Sequence, residues 1–166
     1  MRPDEAIAAA TARGLTIACA ESVTGGLVAA ALTSVPGSSD AMVGGVVAYT
    51  VRAKTAVLGV PAEVIDRFGV VSEEVALGMA RRACSLFGAD IGVGTTGAAG
   101  PADHGGKPAG TVCVASVGPA GEYSATATHE GAREDVREAA VRDALVVLGH
   151  ALGETRPQRV TGLEHP

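Results

Sequence analysis

The chain has 166 residues, of which 47% are hydrophobic and 19% are charged, and its formal net charge is −5. This length and composition predict one globular domain with a hydrophobic core, and they exclude a largely disordered chain. The negative charge and the 2% content of aromatic residues argue against a protein that grips nucleic acid through phosphates and stacked bases.

The first half of the sequence alternates predicted helices with short apolar strands. Pro3 and two acidic residues open a helix over Pro3–Ala12, and the apolar run Leu15–Ala20 is typical of a buried strand. The further elements predicted here are a helix over Leu27–Thr33, a strand over Met42–Tyr49, a short helix or turn over Thr50–Leu58 and a helical segment over Pro61–Arg67.

The second half begins with the N-cap residue Ser72, which predicts a helix as far as Phe87. A strand over Ala89–Thr95 and a loop rich in glycine and proline over Gly97–Gly110 follow. The last predicted elements are an antiparallel hairpin of Thr111–Val117 and Glu122–Thr128, and a long helix over Gly131–Leu152.

This alternation predicts an α/β fold, a three-layer α/β/α sandwich around one mixed sheet. We find neither an internal repeat nor a linker that would divide the chain. A single domain is therefore predicted over residues 1–153, and residues 154–166 are predicted to be a polar C-terminal tail.

The three cysteines lie in apolar sequence, and their odd number indicates reduced, buried thiols in a cytoplasmic protein. No apolar run approaches the ~18–20 residues of a membrane span, and the N-terminus lacks the pattern of a signal peptide. Neither a C-x-x-C motif nor a paired-histidine spacing is present, so we expect no metal site.

The glycines Gly92, Gly94 and Gly97 fit the pattern G-x-G-x-x-G of dinucleotide-binding proteins. That pattern requires a helix to begin at the third glycine, so that its N-terminus faces the pyrophosphate. The loop that follows holds two prolines and several glycines, so it cannot form such a helix. We therefore do not predict a dinucleotide site.

The segment Glu21–Gly26 turns from the first strand into the second helix. Ser22 is thus expected at the carboxyl end of a strand, where open α/β sheets bind their ligands. Backbone N–H groups at the helix start suit an oxyanion or a phosphate. Either Ser22 is a nucleophile there, or Ser22 or Thr24 is a simple helix cap.

A serine nucleophile requires a base. None of the four histidines has a local pattern that pairs it with Ser22. The chain has only two lysines, and one of them, Lys54, closely follows the second strand. A desolvated lysine loses its proton and can serve as a base, whereas the alternative is an ordinary solvated helix residue.

Motifs spread from about Glu5 to Leu152 resemble the CinA C-terminal domain family, in the same order and with similar spacing. The motifs are Ala20–Gly26, Pro36–Ser39, Tyr49–Lys54, Leu58–Val60, Gly69–Ser72, Thr96–Pro101 and Lys107–Val112. The family includes stand-alone nicotinamide-nucleotide amidases, and the sequence is similar to these.

The resemblance implies an amidohydrolase that converts nicotinamide mononucleotide to nicotinate mononucleotide and ammonia. It implies a serine–lysine mechanism with no cofactor, a small nucleotide as the partner, and a homo-oligomer of at least two subunits. Neither nucleic acid nor a membrane is an expected partner. The alternative is a catalytically silent module of the family that binds a nucleotide or a protein partner.

The resemblance also implies roles for individual residues. Ser22 matches the nucleophile, Lys54 the general base and Tyr49 a tyrosine that works with them. The implied substrate-binding residues are Thr24, Gly25, Gly26, Thr96, Gly97, Arg133 and Arg137, with amides near Gly25 and Gly26 facing the oxyanion, Thr96 on a substrate loop and an arginine holding the phosphate. Ala132 departs from the aspartate more usual in the family, and the segment Ala102–Gly106 carries no implied role.

Overall fold

A five-stranded mixed sheet forms the centre of the part of the chain described by the computed structural model, residues 1–154. Its strands are β1 (Ile17–Glu21), β2 (Met42–Val47), β3 (Ile91–Gly97), β4 (Thr111–Gly118) and β5 (Gly121–Thr128). The order across the sheet is β2-β1-β3-β4-β5. The strands β2, β1 and β3 are parallel, whereas β4 and β5 run antiparallel to their neighbours.

The carboxyl ends of the three parallel strands meet at one edge of the sheet. Ser22 follows β1, Tyr49 lies two residues beyond the end of β2, and Gly97 is the last residue of β3. Ligand sites of open α/β sheets lie beyond such strand ends. The topology thus brings together residues that are far apart in the sequence.

Helices cover both faces of the sheet. They are α1 (Pro3–Ala12), α2 (Leu27–Thr33), α3 (Val51–Ala56), α4 (Ala62–Phe68), α5 (Glu73–Phe87) and α6 (Arg133–Ala151), with a short 3-10 helix at Ser38–Asp40. One hydrophobic core packs α1, α2 and α6 against the sheet, and a second core packs α3, α4 and α5 against the other face. The predicted α/β/α sandwich is confirmed.

The sheet and α5 approach each other closely because β3 carries glycine at two contact positions. A Cβ atom at Gly92 would lie 1.9 Å from the carbonyl oxygen of Ala80, and one at Gly94 would lie 2.1 Å from that of Ala76. These distances exclude any side chain at either position. The first two glycines of the G-x-G-x-x-G pattern therefore serve helix packing.

The predicted boundaries differ from the observed ones mainly beside the site. The second strand was predicted to reach Tyr49 but ends at Val47, and α3 begins after Thr50, whose hydroxyl caps it by accepting the Ala53 N–H at 3.1 Å. The predicted cap at Ser72 is confirmed. Of the predicted tail, residues 155–166 lie outside the described residues.

None of the helices described within residues 1–154 has both the length and the apolar character needed to cross a lipid bilayer.

Candidate active site

A buried contact between Ser22 and Lys54 lies at the carboxyl end of the sheet. The Lys54 Nζ atom donates a hydrogen bond to Ser22 Oγ at 2.7 Å. The side chains are almost inaccessible, with relative exposures of 2% for Lys54 and 6% for Ser22. The two residues lie 32 positions apart in the sequence, and α3 presents Lys54 to the turn that follows β1.

Burial lowers the pKa of Lys54 from 10.5 to about 8. The cause is desolvation, which disfavours the charged amine. No carboxylate lies within ion-pair distance of Lys54 in the described part of the chain, so no counter-charge opposes this effect. A neutral amine beside a hydroxyl is the arrangement that a serine–lysine pair requires.

The carboxylate of Glu21 anchors the start of α2 directly behind Ser22. It accepts hydrogen bonds from the N–H groups of Gly26 at 2.9 Å, Val28 at 3.0 Å and Ala29 at 2.8 Å. Glu21 is 1% exposed. Our residue assignments did not include it, although a lone acidic residue at the end of an apolar strand and before two glycines was a usable signal.

These hydrogen bonds correct the expected role of the amides near the two glycines. The Gly26 N–H donates to Glu21, and the Gly25 N–H donates to the Ser22 carbonyl at 3.1 Å. Both amides already have acceptors within the protein. They therefore shape the turn, which both glycines enter with positive φ angles of 62° and 102°, and they do not face an oxyanion.

Thr24 and Arg137 also stabilise the turn that carries Ser22. The Arg137 guanidinium donates to the carbonyls of Val23 at 3.2 Å and Thr24 at 2.9 Å. The Thr24 hydroxyl pairs with the Thr95 hydroxyl at 2.7 Å, and Thr24 is fully buried. Neither Thr24 nor Arg137 lines the cavity beside Ser22.

A cavity of about 310 Å³ opens in front of the Ser22 hydroxyl. The loop that follows β3 supplies most of the lining of this cavity. The lining residues are Ser22, Val23, Tyr49, Gly97, Ala98, Ala99, Gly100, Pro101, Ala102, Asp103, His104 and Arg133. The segment Ala102–His104, to which the sequence assigned no role, thus contributes to the cavity.

Arg133 crosses the cavity from the first turn of α6. Its guanidinium donates to the Gly100 carbonyl at 3.1 Å and to the hydroxyl of Tyr49. Tyr49 is 53% exposed and forms no hydrogen bond with Ser22 or Lys54 within the residues described. Of the two arginines named from the sequence, the structure brings only Arg133 to the cavity wall.

The structure separates Thr96 from its neighbour Gly97. Thr96 lies inside β3 and is 1% exposed, and its hydroxyl donates to the Val70 carbonyl at 2.8 Å. The resemblance placed Thr96 on a substrate loop, and this placement is wrong, because β3 continues past Thr96 to Gly97. Gly97 does line the cavity, and a Cβ atom there would lie 2.7 Å from the Thr111 carbonyl oxygen.

The residues described contain no group of three or more potential metal ligands. The polar side chains that line the cavity are the hydroxyls of Ser22 and Tyr49, the Asp103 carboxylate, the His104 imidazole and the Arg133 guanidinium.

The profile of the CinA C-terminal domain matches residues 3–152 of the sequence. The chain belongs to the CinA C-terminal domain family. A CinA-like protein of Anaeromyxobacter dehalogenans strain 2CP-1 is 48% identical over 153 residues, which cover 90% of this chain and 37% of that protein. A CinA-like protein of Mycolicibacterium vanbaalenii is 50% identical over 144 residues, covering 84% of this chain and 33% of its own length.

Solved structures of CinA proteins share the fold. A CinA superfamily protein from Escherichia coli superimposes with a TM-score of 0.85 at 34% identity, covering 89% of this chain and 87% of that one. The competence/damage inducible protein CihA from Agrobacterium tumefaciens superimposes with a TM-score of 0.82 at 38% identity. The match covers 89% of this chain and 93% of that one. The chain spans about a third of the length of the curated CinA-like relatives it matches.

Proposed function

We propose that this CinA-family chain hydrolyses the carboxamide of nicotinamide mononucleotide to a carboxylate, releasing ammonia and nicotinate mononucleotide. The observation that carries the proposal is the buried 2.7 Å contact between Lys54 Nζ and Ser22 Oγ at the edge of a cavity. Family membership supports an amide substrate, because the chain resembles the nicotinamide-nucleotide amidases of the family.

In the first step, neutral Lys54 accepts the Ser22 proton while Ser22 Oγ attacks the carboxamide carbon. An amide is a poor electrophile, so a serine without a base reacts too slowly to be useful. The pyridinium ring withdraws electrons and activates the carboxamide. Ser22 is held in place for attack by its own N–H, which donates to the Thr95 carbonyl at 3.0 Å.

The tetrahedral oxyanion needs donors other than the two glycine amides already engaged. Val23 directly follows the nucleophile and lines the cavity, and its N–H has no acceptor within residues 1–154. We assign the oxyanion to this N–H group. A single donor of this kind contributes roughly 3–4 kcal/mol to transition-state stabilisation.

Collapse of the intermediate breaks the C–N bond, and the Lys54 ammonium returns its proton to the departing ammonia. Water then attacks the acyl-serine with Lys54 as the base, which releases the carboxylate and restores Ser22. The resemblance implies that Tyr49 works with Ser22 and Lys54, but no hydrogen bond joins Tyr49 to either residue within the residues described. We assign Tyr49 instead to holding Arg133 across the cavity.

The proposal is tested by incubating the purified chain with nicotinamide mononucleotide and measuring ammonia and nicotinate mononucleotide together. Equal amounts of both products support it. Binding of the mononucleotide without release of ammonia would contradict it and would select the silent binding module.

The rate should depend on pH through Lys54. With a pKa of about 8, about 10% of the amine is neutral at pH 7, compared with about 0.03% for an unshifted lysine. Since the neutral form is active, kcat/KM should rise about tenfold per pH unit below pH 8 and level off above it. Initial rates from pH 6 to pH 10 check this, and a rate that falls as pH rises through 8 contradicts it.

Arg133→Ala should weaken binding of the substrate phosphate. Loss of a charge-assisted contact of about 1.5–3 kcal/mol corresponds to a rise in KM of roughly 10- to 100-fold. Arg142 is exposed on the same helix, so Arg142→Ala is the matched control. Nicotinamide riboside, which lacks the phosphate, should be hydrolysed equally by Arg133→Ala and the wild type. A defect of the same size on both substrates would contradict the assignment.

A further inference from the structure

Among residues 1–154, the single carboxylate that lines the cavity beside Ser22 is that of Asp103. Asp103 is exposed in the loop between β3 and β4, within the segment to which the family resemblance assigns no role. Its Oδ1 atom accepts the Ala109 N–H at 3.0 Å. In the described part of the chain, Oδ2 takes part in no hydrogen bond and the carboxylate in no ion pair. Oδ2 is thus available to a ligand.

Contacts at the base and at the tip hold the loop that carries Asp103. At the base, the Gly110 N–H donates to the Ala98 carbonyl at 2.6 Å. At the tip, the loop packs against the segment that precedes α5, since a Cβ atom at Gly105 would lie 2.5 Å from Val70 Cγ1. The hydrogen bond from Asp103 to the returning half of the loop adds a third point of attachment. The loop therefore presents the carboxylate from a fixed position.

The contacts of Asp103 link it to Arg133. Ala109, whose N–H the carboxylate accepts, packs against Gly100, where a Cβ atom would lie 3.3 Å from the Ala109 Cβ. The Gly100 carbonyl in turn accepts the Arg133 guanidinium at 3.1 Å. No ion pair joins Asp103 to Arg133 within the residues described. Two opposite charges thus line one cavity without neutralising each other, and both can bind one ligand.

The ribose of the proposed substrate suits the free carboxylate oxygen. The carboxamide reacts at Ser22 and the phosphate binds Arg133, so the ribose that joins the two groups lies between these residues. Its hydroxyls are hydrogen-bond donors, and an ionised carboxylate is an acceptor that forms strong, charge-assisted hydrogen bonds. Carboxylates bind ribose hydroxyls in the same way in dinucleotide-binding proteins of a different fold.

The pyridinium cation is the other group of this substrate that a carboxylate attracts. The ring must approach Ser22, because its carboxamide is attacked there. Asp103, in contrast, is linked through Ala109 and Gly100 to Arg133, at the phosphate end of the cavity. The sugar hydroxyls are therefore the favoured partner of Asp103.

We propose that Asp103 Oδ2 accepts a hydrogen bond from a ribose hydroxyl and makes the site selective for ribonucleotides over deoxyribonucleotides. Asp103 is then a residue that determines specificity, and it takes no part in the transfer of protons at Ser22. This inference rests on the proposed function, because it takes the position of the sugar from the sites of the carboxamide and the phosphate.

The test compares kcat/KM for nicotinamide mononucleotide with kcat/KM for its 2′-deoxy and 3′-deoxy forms. We expect the wild type to prefer the ribonucleotide over at least one deoxy form by roughly 10- to 100-fold, since the hydrogen bond to a charged group is lost with the hydroxyl. Asp103→Ala should abolish this preference. Equal kcat/KM for the wild type on all three substrates overturns the proposal.

Asp103→Asn separates recognition of the sugar from support of the loop. The variant keeps an oxygen that can accept the Ala109 N–H, and it replaces the charged acceptor Oδ2 by an amide nitrogen. We expect it to lower the preference for the ribonucleotide by roughly 5- to 10-fold. Asp66→Asn, at an exposed aspartate of α4 outside the cavity lining, is the matched control and should leave the preference unchanged. If Asp103→Asn lowers kcat/KM equally on ribose and deoxyribose substrates, the role of Asp103 is structural and the proposal is wrong.

Binding measurements distinguish a failure of this inference from a failure of the proposed function. Calorimetry of the Ser22→Ala variant compares the affinities for the same three nucleotides without turnover. If the wild type releases no ammonia, but Ser22→Ala binds the ribonucleotide more tightly and Asp103→Asn removes that difference, the proposed function fails and the assignment of Asp103 stands. Release of ammonia at equal kcat/KM from all three nucleotides overturns the assignment of Asp103 alone.

Discussion

Ser22→Ala is expected to lower the rate of ammonia release from nicotinamide mononucleotide by roughly 10⁴- to 10⁶-fold, because the variant has no nucleophile. Lys54→Met is expected to lower it by roughly 10²- to 10⁴-fold, because the hydroxyl then lacks a base. The double variant should be no slower than Ser22→Ala, since the two groups act as a unit. Single-turnover product analysis by mass spectrometry measures these rates.

Protein stability provides the control for Lys54→Met. The folded protein lowers the pKa of Lys54 from 10.5 to about 8, so below pH 8 it must keep a charged amine buried at a cost of about 3 kcal/mol. That cost disappears as pH rises from 8 to 10.5, because over this range the folded protein has released the Lys54 proton while the unfolded chain still binds it. Lys54→Met should therefore melt at a higher temperature than the wild type at pH 7, with a smaller difference at pH 10.5. If the inactive variant is also less stable than the wild type at pH 7, the loss of activity reflects damaged folding and not the loss of the base.

Glu21→Ala is expected to lower the free energy of unfolding by about 3–6 kcal/mol. The substitution leaves the amides of Gly26, Val28 and Ala29 without their acceptor. A buried, unpaired donor costs roughly 1–3 kcal/mol, and the bonds of Gly26 and Ala29 are only partly buried, so these two contribute at the low end of that range. Equilibrium unfolding in urea measures the change, and the exposed residue Glu138 provides the control variant Glu138→Ala.

Glu21→Ala should also displace Ser22 and lower kcat. Glu21 and Arg137 both form hydrogen bonds that hold the turn carrying Ser22. Glu21→Gln keeps one acceptor oxygen and should fall between Glu21→Ala and the wild type in both stability and kcat. If Glu21→Ala unfolds at the same urea concentration as the wild type, the three hydrogen bonds do not hold the turn.

The order of helices and strands could be read from the sequence because its signals are local. The alternation of apolar strands and helices, the cap at Ser72 and the hairpin turn depend on neighbouring residues. The family resemblance likewise rests on motifs that are contiguous in the chain, and the match over residues 3–152 confirmed it.

The roles of single side chains depended on long-range packing. Thr96 and Gly97 are adjacent in sequence, yet strand alternation buries the first against Val70 and leaves the second at the cavity. Arg133 and Arg137 lie one helical turn apart, and only the direction of α6 decides that one spans the cavity while the other holds the Ser22 turn.

The sequence alone determined that a serine follows the first strand and that a lysine follows the second. The tertiary structure alone decided that the lysine is buried against that serine, because desolvation arises from residues distant in the chain. It also decided that Glu21 accepts hydrogen bonds from the amides at the start of α2. A hydrogen-bond acceptor can be assigned only when the positions of its donors in space are known.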